Sequence, residues 1–235
     1  MTKPVIDMEW PLRIAERKRF FRIWSGVTLP RAEPAVDPRR LAAAFHEGGH
    51  LAAGVIHGAE IRSASIRGGH WHSGEAAVWV PINPDDLDAA WWRAAIGEPI
   101  DPLLRDAVER EAYILLAGVS VEVVAVQRGI LPEPKAIDTA APEHRSKYLA
   151  AINSGEPKPR GDSGELDELL RRICGDPDEQ AAYRRVLERR TEQMVWRHPR
   201  YWPLAQAFAA ALLERETLDA EAIGAIATEV WRRKQ

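Results

Sequence analysis

The pentapeptide His46-Glu47-Gly48-Gly49-His50 lies inside an apolar run, and that setting constrains the fold more than any other feature of the chain. Leu41, Ala44, Phe45, Leu51, Ala52 and Val55 recur near helical spacing, so the pentapeptide belongs to a largely buried helix. Four residues advance an α-helix by just over one turn, which sets His46 and His50 on one face. A buried helix carries two imidazoles and a carboxylate only where they are paired or ligated. Asp37 and Pro38 predict the helix start, as N-cap and first helical residue. Gly58 predicts its end. Gly48 and Gly49 each cost about 1 kcal/mol relative to alanine in a helix interior, which predicts close approach of something packed against them.

The spacing has a chemical meaning. Two neutral imidazoles on one helix face can share a zinc ion at about 2.0–2.1 Å each. Glu47, one residue round from His46, is placed to reach a metal-bound water without being a ligand. This HExxH pattern predicts a zinc peptidase site with Glu47 as general base. A catalytic zinc takes a third protein ligand and leaves a position open. His57 lies roughly 10.5 Å further along the helix than His50 and is too distant. A metzincin-type continuation needs a glycine at position 53 and a histidine at position 56, where this chain has Ala53 and Ile56. Glu111 on a later helix, His70 and His72 in a turn, and Asp162 and Glu165 in the stretch GDSGELDELL are the remaining candidates.

The chain has 235 residues, enough for one large domain or one domain with extensions. A net charge of −3 gives no nucleic-acid footprint. No apolar run reaches transmembrane length and the start lacks a signal-peptide layout. Cys174 is the single cysteine; it is read as a packing residue, and its solitude fits a reducing cytoplasm.

Residues 1–36 read as a separate arm, with Arg13, Arg17, Lys18, Arg19 and Arg22 interleaved with Ile14, Phe20, Phe21, Ile23 and Trp24. Such a segment either folds back on the domain or docks a partner, a membrane surface or a second copy. Residues 37–235 read as the main domain. The motif helix spans 38–57, and strands are predicted over 61–67 and 75–80. Residues 84–102 read as a loop or short helix. A long helix over 103–128 is apolar at Leu104, Val108, Leu115, Val119, Val123 and Val126. Residues 131–164, rich in proline and glycine, read as an irregular excursion. Helices follow over 164–173, 177–196, 200–215 and 219–232. The fold class is α+β, mainly helical with a small β-sheet or hairpin.

Five segments, in order, resemble the peptidase domain of the FtsH-type membrane-bound AAA+ zinc proteases. FHEGGHLAAGVIHGAEI at 45–61 resembles the family's YHEAGHALV segment. SIRGGHWHSGEAAVWVP at 65–81 resembles its strand, glycine-bearing turn and strand. ILLAGVSVEVV at 114–124 resembles its LAGRAAEEL helix, GDSGELDELL at 161–170 its GAxNDLxxAT segment, and ALLERETLDAEAI at 211–223 its closing LLExETLdgeEI. The resemblance covers about 38–225 and implies a zincin-like helical peptidase fold. It implies that His46 and His50 are zinc ligands and Glu47 the base. Glu165 falls where the family's third ligand, an aspartate, falls; Asp162 is the fallback. Glu122 falls on a family glutamate and is a candidate for holding a ligand from behind. The family carries transmembrane helices and an ATPase ring before this domain, whereas this sequence has no GxxxxGK[ST] phosphate loop.

The resulting expectation is a zinc-dependent, ATP-independent endopeptidase acting on flexible or unfolded polypeptide. The alternative is a non-cleaving peptide-binding or regulatory module that keeps zinc as a structural staple.

Overall fold

Asp37 caps the motif helix through its side chain, which accepts from the Arg39 backbone N–H at 3.0 Å. Pro38 occupies the first turn, and Gly58 closes the helix in the left-handed region at φ 66°. This helix, α1 (Pro38–His57), has the predicted bounds. The computed structural model describes residues 36–67, 74–132 and 162–233. The chain divides into two units, Met1–Val36 and Asp37–Gln235; the architecture below is that of the second. The basic arm, His70, His72 and most of the 131–164 segment lie outside the described residues.

β1 (Glu60–Ser65) pairs antiparallel with β2 (Glu75–Trp79), with a register shift between Ile61 and Ser63. Then come α2 (Pro84–Ala95), α3 (Pro102–Gln127), α4 (Asp162–Arg171), α5 (Pro177–Arg197) and α6 (Tyr201–Arg215). β3 (Thr217–Asp219) joins the free side of β1, giving the order β2-β1-β3, and α7 (Ala220–Arg232) ends the described chain. The protein is mainly helical with a small three-stranded antiparallel sheet, an α+β architecture. The segment read as loop or short helix is α2, capped by the Asn83 side chain on the Asp85 N–H. The excursion ends earlier than predicted, because Asp162 already begins α4. β3 was not foreseen: three residues are too short to show alternation.

α1 is the central element, packed between α3 and α6. Gly48 and Gly49 make that possible. A Cβ on Gly48 would stand 2.8 Å from the Ala205 carbonyl oxygen of α6, and one on Gly49 would stand 2.7 Å from the Ala117 carbonyl oxygen of α3. The two glycines therefore let the backbones of both neighbours close on the motif. One apolar cluster joins α1, α3, α6 and the sheet, and includes Phe45, Leu51, Val121, Phe208 and Leu212. A second joins α2, α3, α4 and α5 around Val108, Leu166, Leu170 and Leu187. α3 belongs to both. Cys174 packs in the second cluster, where burial pushes its thiol up to about 11.

Of the apolar positions read on α3, Val108 is buried and Leu104, Leu115 and Val126 pack against the two clusters, while Val119 and Val123 turn outward. Ala112, Ile114, Ala117, Gly118, Val121, Val124 and Ala125 are buried with Val108, whereas Val119 is 56% and Val123 41% exposed. The side chains that allow close helix approach are small, such as Ala117 and Gly118, and a periodicity weighted by valine and leucine passes over them. Gly48→Ala should lower stability by about 1–3 kcal/mol in urea unfolding despite its better helix propensity. Gly224→Ala, on α7 with nothing within 4 Å of the added carbon, should raise it by about 1 kcal/mol. A stabilised Gly48→Ala protein would contradict the close approach.

Candidate metal centre

α1 carries His46 and His50 toward α3, and α4 delivers its first residue, Asp162, to the same place. The His50 Nδ1–H donates to the Ile114 carbonyl of α3 at 2.7 Å. A carbonyl only accepts, so the proton sits on Nδ1 and the Nε2 lone pair is left to point elsewhere. It points at Asp162, whose Oδ2 lies 3.2 Å away. His46 is arranged in the same way: Nδ1 is 2.5 Å from Glu122 Oε1, and Nε2 is 2.9 Å from the same Asp162 Oδ2. The rings meet edge to face with centroids 4.7 Å apart.

Two imidazole nitrogens whose partner atoms are occupied from behind thus converge on one carboxylate oxygen. Lone pairs facing each other repel unless a proton or a cation lies between them. One ligand atom from each of His46, His50 and Asp162 lies within 4.8 Å of the others, so the group could hold a metal ion. Gly118 keeps the space open. A Cβ there would fall 2.7 Å from His46 Nε2 and Cε1 and from His50 Nε2. Gly118 was not among the residues singled out from the sequence. Its signal was a glycine inside a long helix, a position that costs about 1 kcal/mol without a packing or functional reason.

The electrostatics follow from the geometry. Burial disfavours a charged His46, but the hydrogen bonds to Asp162 and Glu122 outweigh it and push the group up to about 10. Burial would raise Asp162, yet its hydrogen bonds with His46 and His50 hold it well below the usual carboxylate range. Glu47 is 4% exposed. Its carboxylate lies under the turn end of the β-hairpin, where a Cβ on Gly74 would come within 2.6 Å of Oε1. Its charge also favours protonated His46.

The other candidates fall elsewhere. Glu165, the third ligand implied by the resemblance, is exposed on α4 and outside the group that converges on the histidines; Asp162, the fallback, is inside it. Glu165 lies roughly 4.5 Å further along the helix axis, and its charge bears on Glu111. Glu111 is raised by burial and accepts from the Val80 backbone N–H at 2.6 Å, tying the end of β2 to α3. His57 stacks on Tyr113, and burial with the nearby Arg110 and His198 lowers its affinity for protons. Glu122 stands behind His46, in contact with its Nδ1. No helix among the described residues is long and apolar enough to cross a membrane. No family model matches the chain, and no curated protein matches it.

Two measurements test the centre. Elemental analysis should find a metal in the wild type, loss of it in Asp162→Asn, and retention in Glu165→Gln; the reverse pattern would return the third position to Glu165. A ligand histidine must be neutral, while metal-free His46 keeps its proton up to about pH 10. Metal binding at pH 7 should therefore expel about one proton, and affinity should rise with pH. Calorimetric titration in buffers of different ionisation enthalpy reads this directly, and a heat independent of buffer would refute it.

Proposed function

We propose that the chain is a zinc-dependent, ATP-independent endopeptidase. The observation that carries this reading is the convergence of His46 Nε2 and His50 Nε2 on Asp162 Oδ2, with both Nδ1 atoms engaged from behind. Two imidazoles and one carboxylate match the donor set of catalytic zinc, and the group contains three protein ligands among the described residues. Glu47, whose charge reaches His46, favours the enzyme over the non-cleaving module, which needs no base there. The ordered resemblance to the FtsH-type peptidase domain points the same way.

Bound zinc would supply Lewis acidity, lowering the pKa of water toward neutrality and polarising the scissile carbonyl. Glu47 does the proton work. Its carboxylate takes a proton as the water oxygen bonds to the peptide carbon, then gives it to the amine as the C–N bond breaks. Burial under the hairpin keeps that carboxylate from bulk water. Glu122 and the Ile114 carbonyl fix both ligand tautomers, so each Nε2 stays available as a donor.

β2 is an edge strand, since the order β2-β1-β3 leaves one of its sides without a partner strand among the described residues. An extended polypeptide can add there by backbone hydrogen bonding. That mode of binding selects flexible or already unfolded segments and reads backbone more than side chains.

Glu47→Gln should keep the metal and lower kcat for unfolded casein by about 10²–10⁴-fold. Wild-type cleavage should stop with a chelator and return with zinc. Zinc at one ion per chain without any cleavage would turn the proposal into the binding module, and full activity in Glu47→Gln would remove Glu47 as the base.

A further inference from the structure

α3 and α5 leave an open groove of about 720 Å³ between them, beside Asp162 and Ser163 at the start of α4. Its α3 wall is largely apolar and its α5 wall mostly charged. Leu115, Leu116, Val119 and Val123 line it from α3, and Val186 from α5. Val119, Val123 and Val186 are 56%, 41% and 44% exposed. Three exposed valines thus line one groove. Nothing in the metal centre uses them.

The lip of the groove identifies the occupant. Arg185, Glu188, Arg189 and Glu192 of α5 all line it. Their spacing sets them along one helix face. The order of charges is plus, minus, plus, minus, and that order is complementary to itself in reverse. If a second α5 runs antiparallel, centred between positions 188 and 189, Arg185 meets Glu192 of the second copy and Glu188 meets its Arg189. Two-fold symmetry repeats each pair. Glu188 also binds Arg184 of its own helix at 2.9 Å, so the Arg185–Glu192 pairs carry most of the choice of register. In this arrangement each α5 lies in the other copy's groove, and Val186, on the flank of the charged face, reaches Val119 and Val123 of the other α3.

We propose that this face is an isologous dimer interface, with a second copy of the chain as its occupant. Apolar burial in the groove holds the copies together, and the charges set direction and register, because exposed ion pairs add little affinity while like charges opposed across an interface are strongly disfavoured. The inference is independent of the proposed peptidase activity and goes beyond it.

Sedimentation of the full chain over a wide range of concentration tests it. The wild type should reach twice the 26.3 kDa chain mass. Arg185→Glu and Glu192→Arg should each weaken self-association by about tenfold or more, since each opposes like charges. An equimolar mixture of those two variants should recover the dimer, as should the double variant Arg185→Glu/Glu192→Arg, because both restore opposite charges at every pair. Circular dichroism and metal content should stay at wild-type values in all of them. A wild type that remains monomeric throughout would overturn the proposal. So would a dimer indifferent to the single changes, or single variants that neither the mixture nor the double change rescues.

Discussion

Two imidazoles and a carboxylate on a largely buried helix need partners or cover, and the principal elements around α1 are arranged to provide them. α3 gives the Ile114 carbonyl to His50 and the Glu122 carboxylate to His46. α4 gives Asp162 to both rings. The hairpin lays Gly74 over Glu47. Polar groups left without partners there would cost on the order of 1–3 kcal/mol each, comparable with a sizeable share of a domain's net stability. The site and the fold are therefore one problem solved together.

Close approach is the means. A helix bearing functional groups has to come near the helices that serve them, and three glycines remove the obstacles. Gly48 admits α6, Gly49 admits α3, and Gly118 leaves room in front of the two Nε2 atoms. The penalty in helix propensity is about 1 kcal/mol for each, offset by packing that larger residues would prevent. The same requirement explains why α3 buries alanines and a glycine toward α1 and turns Val119 and Val123 outward.

The two candidate ligand histidines are held differently from behind. His50 leans on a neutral backbone carbonyl, fixed by the helix itself. His46 leans on Glu122, a charged side chain, and so gathers negative charge from Glu122, Asp162 and Glu47. In the metal-free protein that charge keeps a proton on His46; a divalent cation would replace the proton and satisfy the same carboxylates. An acidic surround of this kind favours a cation at the centre.

Much of this was legible in the sequence. The bounds of α1, its caps, the face shared by His46 and His50, and the need for close neighbours at Gly48 and Gly49 follow from local rules: helical period, proline at a start, glycine at an end. The later helices were also visible, because their apolar periodicity and caps act over a few residues. The choice of Asp162 over Glu165 was not visible, since both carboxylates sit in one short stretch and only the point where α4 begins decides which of them reaches the histidines. Glu122 was suggested by resemblance, but its hydrogen bond to His46 depends on how α3 lies across α1. Gly118 and the outward valines depend on the same helix crossing. Sequence alone determined which groups had to be satisfied, because burial and spacing are local properties of a helix. Only the tertiary structure decided which partners satisfy them, because those partners lie 64 to 116 residues away along the chain and are selected by packing.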